Sequence, residues 1–169
     1  MARLKSHQRF VQKFASTRPG AWFGAHVWHH LDRGVFQMSG GQATLTSYLA
    51  GLPMVMVTTS GVKSGKRRTT PLVAIREGSD DSCFALIASN WGQDHHPGWY
   101  HNLKAGPVAT CTMEGITRTY CAREASGEEY DYYWLRASQV YFGYTLYKQR
   151  LGDRRIPILV LEAEAEGKT

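Results

Sequence analysis

The feature that most constrains this chain is a succession of short apolar and β-branched runs, each closed by turn residues. Met54–Thr59 is a continuous run of this kind, the pattern of a strand buried on both faces. A Gly/Lys/Ser loop, Gly61–Lys66, follows, and Arg68–Arg76 alternates polar and apolar. Glu77–Ser82 carries Gly78 and Asp80-Asp81, which supply hairpin chemistry before a third strand, Cys83–Ser89. Val108–Met113 and Thr117–Arg123 flank the turn Glu114-Gly115, and Arg155–Glu162 closes the series. Consecutive strands joined by tight turns imply an antiparallel sheet rather than βαβ units. For 169 residues, a small closed barrel with helices packed over it is the economical solution, because closure removes exposed edges.

Helical patterns lie around these strands. Leu4, Phe10, Val11 and Phe14, interleaved with Arg3, Lys5, Arg9 and Lys13, read as a short basic amphipathic helix that Pro19-Gly20 ends. A second runs from about Ala21 to Asp32, and Gly34, Gly40 and Gly41 loosen the connection that follows. Asn90–Pro97 is a polar loop, and Pro97 suits the start of a short helix, Gly98–Lys104, ended by Gly106-Pro107. Glu128–Val140 has helical length and an aromatic face. The expectation is one domain over residues 1–169: a helical extension over 1–35, a barrel core over 52–162 and a tail over 163–169.

Composition excludes several classes. With 43% hydrophobic and 12% aromatic residues, the chain is not intrinsically disordered. No stretch approaches the roughly 18 apolar residues of a membrane span. The first ten residues have charge but no apolar h-region, so no secretory signal is expected. Three cysteines, Cys83, Cys111 and Cys121, without C-x-x-C spacing argue against a disulfide framework and for a reducing cytoplasm. The formal net charge of +6 calls for a partner: nucleic acid, anionic lipid or a small acidic ligand.

Three motifs carry candidate chemistry. The first is the turn Thr58–Pro71, where two glycines free backbone amides beside Lys63, Lys66, Arg67 and Arg68. Such a set can hold a phosphate or several carboxylates, or can be a solvated basic hairpin turn. It is not a P-loop, since Lys66 precedes Arg67 and no helix follows. The second surrounds the polar loop with Trp91, His95, His96, Trp99, Tyr100 and His101. Large aromatics there suit a flat aromatic ligand, although Trp99 and Leu103, at i and i+4, suit burial of a small helix equally. The third is Tyr141, Tyr144 and Tyr147, whose steps of three line one side of a helical turn. Phenols in a cleft donate hydrogen bonds or act as general acids, whereas a surface tyrosine stripe does neither.

Other chemistries are not expected. His26, His29 and His30 have helical spacing, but no H-E-x-x-H or neighbouring cysteine completes a metal site. There is no G-x-S-x-G, and no cysteine carries a nucleophile motif.

With these residues assembled, the chain resembles the deazaflavin-dependent nitroreductase and quinone reductase family, split β-barrel oxidoreductases that use coenzyme F420. The resemblance runs from about Asp32 to Leu161 in three ordered blocks. These are L-P-M-V-M-V-T-T-S-G-V-K-S-G-K-R-R-T-T-P-L (Leu52–Leu72), A-S-N-W-G-Q-D-H-H-P-G-W-Y-H-N-L (Ala88–Leu103), and A-R-E-A (Ala122–Ala125) with the tyrosine-rich helix and R-I-P-I-L-V-L (Arg155–Leu161).

The resemblance implies a mainly β fold with packing helices, an FMN-binding-like split barrel with an amino-terminal helical extension. It implies that the turn around Lys63, Lys66 and Arg68 holds the coenzyme's phosphate and its acidic oligoglutamate tail. Further contacts would come from Val62 and Ser64, and from Thr69, Thr70, Pro71, Leu72 and Val73. Ile87, Ala88, Ser89 and Asn90 would line a second side, and Gly98, Trp99, Tyr100, His101 and Asn102 a third, with Trp99 walling the pocket. Tyr144, with Tyr141 and Tyr147 near it, would polarise the substrate or deliver a proton. Two departures from the family pattern, Val62 and the pair Asn90-Trp91, point to a reshaped substrate side.

The implied reaction is hydride transfer from reduced deazaflavin to an electrophilic small molecule: a quinone, an activated enone or a nitroaromatic. The coenzyme supplies the redox chemistry and the protein supplies binding and orientation. An alternative keeps the barrel and replaces the coenzyme with FMN. A basic nucleic-acid-binding module is the further rival, but the aromatics follow no RRM or zinc-finger pattern, so no nucleic acid is expected. The first helix reads either as a cap on the barrel or as a peripheral contact with the inner membrane face. The oligomeric state reads as monomer or homodimer.

Overall fold

In a computed structural model of the chain, residues 51–76 and 81–164 are described, together with Thr17. The two amino-terminal helical patterns, and His26, His29 and His30 with them, lie outside the described residues.

The strands are β1 (Met54–Ser60), β2 (Arg67–Val73), β3 (Ile75–Arg76), β4 (Cys83–Ile87), β5 (Val108–Met113), β6 (Ile116–Glu124) and β7 (Ile158–Ala163). The helices are α1 (Gly98–Ala105), α2 (Gly127–Val140) and α3 (Gly143–Leu151). All pairings are antiparallel, and the sheet order is β2-β1-β5-β6-β7-β4-β3. Turns between consecutive strands account for β1–β2 and β5–β6, and β3 pairs with the next strand in sequence, β4. Val55, Met56 and Val57 of β1 are all buried, in keeping with the unbroken apolar run.

One expected strand, Arg68–Arg76, is in fact two. It divides at Ala74, which is wholly buried and donates its N–H to the Pro53 carbonyl at 2.8 Å instead of to a strand ladder. This redirects the chain, so β2 pairs with β1 and β3 pairs with β4 at the other end of the sheet. Strands adjacent in sequence thus form the two ends of one curled sheet, a half-barrel. The chain is mainly β with packing helices, as expected.

Two apolar clusters fill it. The first joins Val55, Val57, Phe84, Leu86, Tyr120, Leu159 and Leu161, and α1 adds Trp99, Tyr100 and Leu103 to it. Phe84 and Tyr120 meet edge to face at 5.0 Å, and the Tyr120 hydroxyl donates to the Asp81 carbonyl at 2.7 Å. The second lies beneath α2 and α3 and joins Leu52, Ile75, Ile87, Ile158 and Val160 to Tyr133, Tyr141, Tyr144 and Tyr147. At the start of α2, Glu128 and Glu129 complement the helix dipole. Arg123 of β6 grips Glu129 with two hydrogen bonds, of 2.6 and 2.7 Å, and also reaches Glu162. That network pins α2 to β6 and β7.

Candidate coenzyme site

The turn between β1 and β2 folds on its own backbone. The Gly61 N–H donates to the Lys66 carbonyl at 2.9 Å, and the Gly61 carbonyl accepts from Gly65 at 2.7 Å and Ser64 at 3.2 Å. The polar and charged side chains are left outside: Lys63, Ser64, Lys66 and Arg68 are exposed, and so is Val62. Residues 60–73 contain four cations and no carboxylate. Arg67 is partly committed, donating to Thr110 Oγ1 at 3.0 Å. Below the turn the strand becomes half-buried: Thr69 exchanges a 2.8 Å hydroxyl contact with Thr58, and Leu72 packs against the first cluster.

Helix α1 closes against this turn through one residue. Asn102 accepts from the Val62 N–H at 3.1 Å and donates to Thr59 Oγ1 at 3.0 Å, although 40 residues separate it from Val62. Ser60, Gly61, Val62 and Asn102 then line a shallow groove of about 330 Å³ with the chain from Ala105 to Val108. Near it, Lys104 and the Tyr100 hydroxyl both donate to Glu124. The Glu124 hydrogen bond raises the Lys104 pKa, and burial raises that of Tyr100.

The loop between β4 and α1 is built differently. Ile87, Ala88 and Ser89 are buried, and Asn90, Trp91 and Gly92 form a single 3-10 turn with φ of 48°, 58° and 75°. Left-handed backbone is costly for a side chain as large as tryptophan. Gly92 cannot be replaced without conflict, because a Cβ there would lie 3.0 Å from the Tyr147 ring. Arg154, in the connection before β7, donates to the Gln93 carbonyl and to His96 Nδ1, the latter at 2.8 Å. Burial first, and then the Arg154 charge, hold the His96 pKa below its ordinary value.

The three tyrosines do not form a surface stripe. Tyr141 ends α2 with φ −140° and ψ 106°, and α3 begins afresh at Gly143, so the chain turns and folds the rings inward. All three are buried, and the Tyr141 and Tyr147 hydroxyls are 3.0 Å apart. The ring centroids of Tyr141 and Tyr144 are 5.3 Å apart, edge to face. The Tyr141 phenol occupies the space that a Cβ on Gly143 would take. Burial raises the pKa of each phenol.

A band of direct contacts therefore links segments distant in sequence. It runs from the β1–β2 turn through Asn102 to α1, back along its loop to Gly92, and on to Tyr147. Gly98 and His101 are exposed along it. Trp99 departs from its expected place as an open pocket wall: it is 6% exposed and packs into the first cluster, since its i, i+4 pairing with Leu103 turns both inward. Sequence reasoning passed over Arg154, one of two adjacent arginines. Only Arg154 turns to the loop, while Arg155 lies over the Tyr130 ring at 4.4 Å. Nothing in the pair Arg154-Arg155 distinguishes them before the chain is folded.

The curled antiparallel sheet, with its ends adjacent in sequence, α1 on one face and α2 and α3 on the other, defines the split β-barrel class. A heme storage protein from Vibrio cholerae, HutZ, shares this fold with a TM-score of 0.50 at 10% identity, covering 80% of this chain and 91% of its own. Residues 31–163 match the family described as F420H(2)-dependent quinone reductase, and the chain belongs to that family. An F420H(2)-dependent quinone reductase of Mycobacterium tuberculosis (strain ATCC 25618 / H37Rv) is 32% identical over 112 residues, which cover 64% of this chain and 72% of that protein. A solved F420-H2 dependent reductase, FDR-A, superposes with a TM-score of 0.59 at 37% identity, covering 65% of this chain and 94% of its own. A further solved structure, described as a domain-swapped dimer, is 32% identical with a TM-score of 0.61 and covers 77% of this chain and 95% of its own.

Proposed function

We propose that this chain binds coenzyme F420 along the contact band and transfers a hydride from its reduced form to a quinone. The observation that carries this reading is the exposed, carboxylate-free cationic turn latched to α1 beside an open groove. The donor set fits a polyanion. Lys63, Lys66 and Arg68 would meet the phosphate and the acidic tail, with the backbone of residues 62–64 and 68–73 alongside them. Four cations suit several carboxylates better than the single phosphate of FMN.

When bound in its reduced form, the coenzyme supplies the hydride from its deazaflavin carbon. The residues of 87–90 and 98–102 would fix the orientation of the ring system. Tyr144, Tyr141 and Tyr147 have raised pKa values, so at neutral pH they remain phenols. They are suited to donating a hydrogen bond that polarises the acceptor's oxygen, while the raised pKa makes them weaker proton donors than a free phenol. Activated enones and nitroaromatics present a similar electrophile and belong to the same reading.

Among the described residues, no helix is long and apolar enough to cross a membrane. A cytoplasmic location is part of the same reading, with a homodimer favoured by the domain-swapped relative. The test is anaerobic titration with reduced coenzyme F420 and menadione. Micromolar binding with oxidation of the coenzyme is expected, and the reading falls if the coenzyme neither binds nor is oxidised with any quinone, enone or nitroaromatic. Visible absorbance of the purified protein separates FMN from deazaflavin.

A further inference from the structure

Asn90, Trp91 and Gly92 are three consecutive left-handed residues; at Trp91 that backbone is costly, and such strain persists only where neighbours over-determine it. Two neighbours do so here. The Tyr147 ring lies against Gly92, and the Arg154 guanidinium spans the Gln93 carbonyl and His96 Nδ1. A guanidinium has only donors, so Nδ1 of His96 must accept, which puts the ring proton on Nε2. The His96 ring in turn packs against Tyr100 at 4.9 Å and His101 at 6.0 Å. The chain of contact thus runs from Arg154 through His96 into the first turn of α1.

We propose that Arg154 is a positioning residue of this site, holding the strained loop and the neutral His96 so that residues 87–90 and 98–102 keep the spacing the coenzyme requires. The inference rests on the reading of those two segments as coenzyme contacts. Arg154 is a costly residue to place here: its Nε is buried without a hydrogen-bond partner among the described residues, and burial depresses the pKa of its own guanidinium. Such a costly group is retained at functional sites more readily than in plain scaffolding.

The pH behaviour follows from the groups that face His96. These are Arg154 from the β7 side, His101 and Tyr100 from α1, Glu124 from the end of β6, and His95 within the loop. Only Glu124 favours the charged ring. The His96 pKa is depressed, so this group's contribution to holding the loop is complete above the ordinary value of 6.5 and is lost as pH falls through the depressed one.

The test compares the full chain with Arg154→Met and Arg154→Lys. Three quantities are read: oxidised coenzyme F420 affinity, the NMR titration of the His96 ring, and amide exchange at Gly92 and Gln93, whose N–H groups donate to the Ser89 and Asn90 carbonyls. In Arg154→Met the coenzyme dissociation constant rises about tenfold, for the loss of two charge-assisted hydrogen bonds. The His96 pKa moves up, both amides exchange faster, and KM for the coenzyme rises while kcat at saturation changes by less than about twofold. Arg154→Lys keeps the charge but not the fork, so it recovers part of each effect, and it serves alone if the methionine variant does not fold. Unchanged exchange and an unchanged His96 titration overturn the proposal. So does a loosened loop with coenzyme affinity intact, which leaves the coenzyme reading standing. A wild-type protein that shows the His96 and exchange behaviour but binds no coenzyme overturns the coenzyme reading and the positioning role with it.

Discussion

The β1–β2 turn and the loop between β4 and α1 flank the same short helix, yet they are held in opposite ways. The turn presents its cations to solvent and is tied to α1 through the side chain of Asn102. The loop is wound into left-handed backbone, packed on a buried tyrosine and clamped by an arginine. The contrast teaches a division of labour. A flexible, highly charged tail is held by adaptable electrostatics, whereas a rigid ring needs a surface fixed before it arrives.

The sharpest way to break this contrast is Gly92→Ala. The new Cβ meets the Tyr147 ring at a φ of 75°, and a loss of about 2 kcal/mol is expected in urea unfolding. Coenzyme affinity should fall with it. Alkaline titration probes the same wall without a substitution. Burial raises the pKa values of Tyr141, Tyr144 and Tyr147, so the folded chain holds those protons more tightly than the unfolded one, whose tyrosines titrate near 10. Their contribution to stability is complete below that value and is lost as pH climbs through the raised ones. Phenolate absorbance should therefore grow together with loss of structure, and phenolate formed fully before unfolding would contradict the buried cluster.

Smaller effects belong to the softer flank. Asn102→Ala removes the bonds to Val62 and Thr59 and should cost about 1 kcal/mol, with a severalfold loss of coenzyme affinity measured by equilibrium titration. Lys63→Ala with Lys66→Ala should change stability by less than about 0.5 kcal/mol, since both side chains are exposed. Their effect should appear instead as weaker coenzyme binding with a shallower salt dependence. If the lysine pair destabilised the fold more than Gly92→Ala, the division of labour would be wrong.

Legibility from sequence followed the same line. The turn could be read because glycines and lysines announce exposure and charge by residue type. Strands such as Met54–Ser60 were legible because burial on both faces leaves an unbroken apolar run. The division at Ala74 was not, since an alternating pattern continues across it and only the tertiary partner of its N–H reveals the change of course. Spacing grouped the tyrosines but left cleft and surface open, since periodicity marks a shared face and not what covers it, and Tyr141 belongs to the end of α2 rather than to one helical turn with Tyr144 and Tyr147. Arg154 could not be told from Arg155 because the choice depends on a loop more than fifty residues earlier in the chain.

The hand-over at Ala74 also bears on how the molecule assembles. β1 and β2 are neighbours along the chain and can zip as a local hairpin, but β3 finds its ladder through β4, and β4 completes its own only with β7, whose first paired residue is Ile158. Half of the sheet therefore waits on contacts spanning most of the described chain, which makes loop-closure entropy the main brake on its formation. The seam at Ala74 joins a local hairpin to a ladder of long sequence separation.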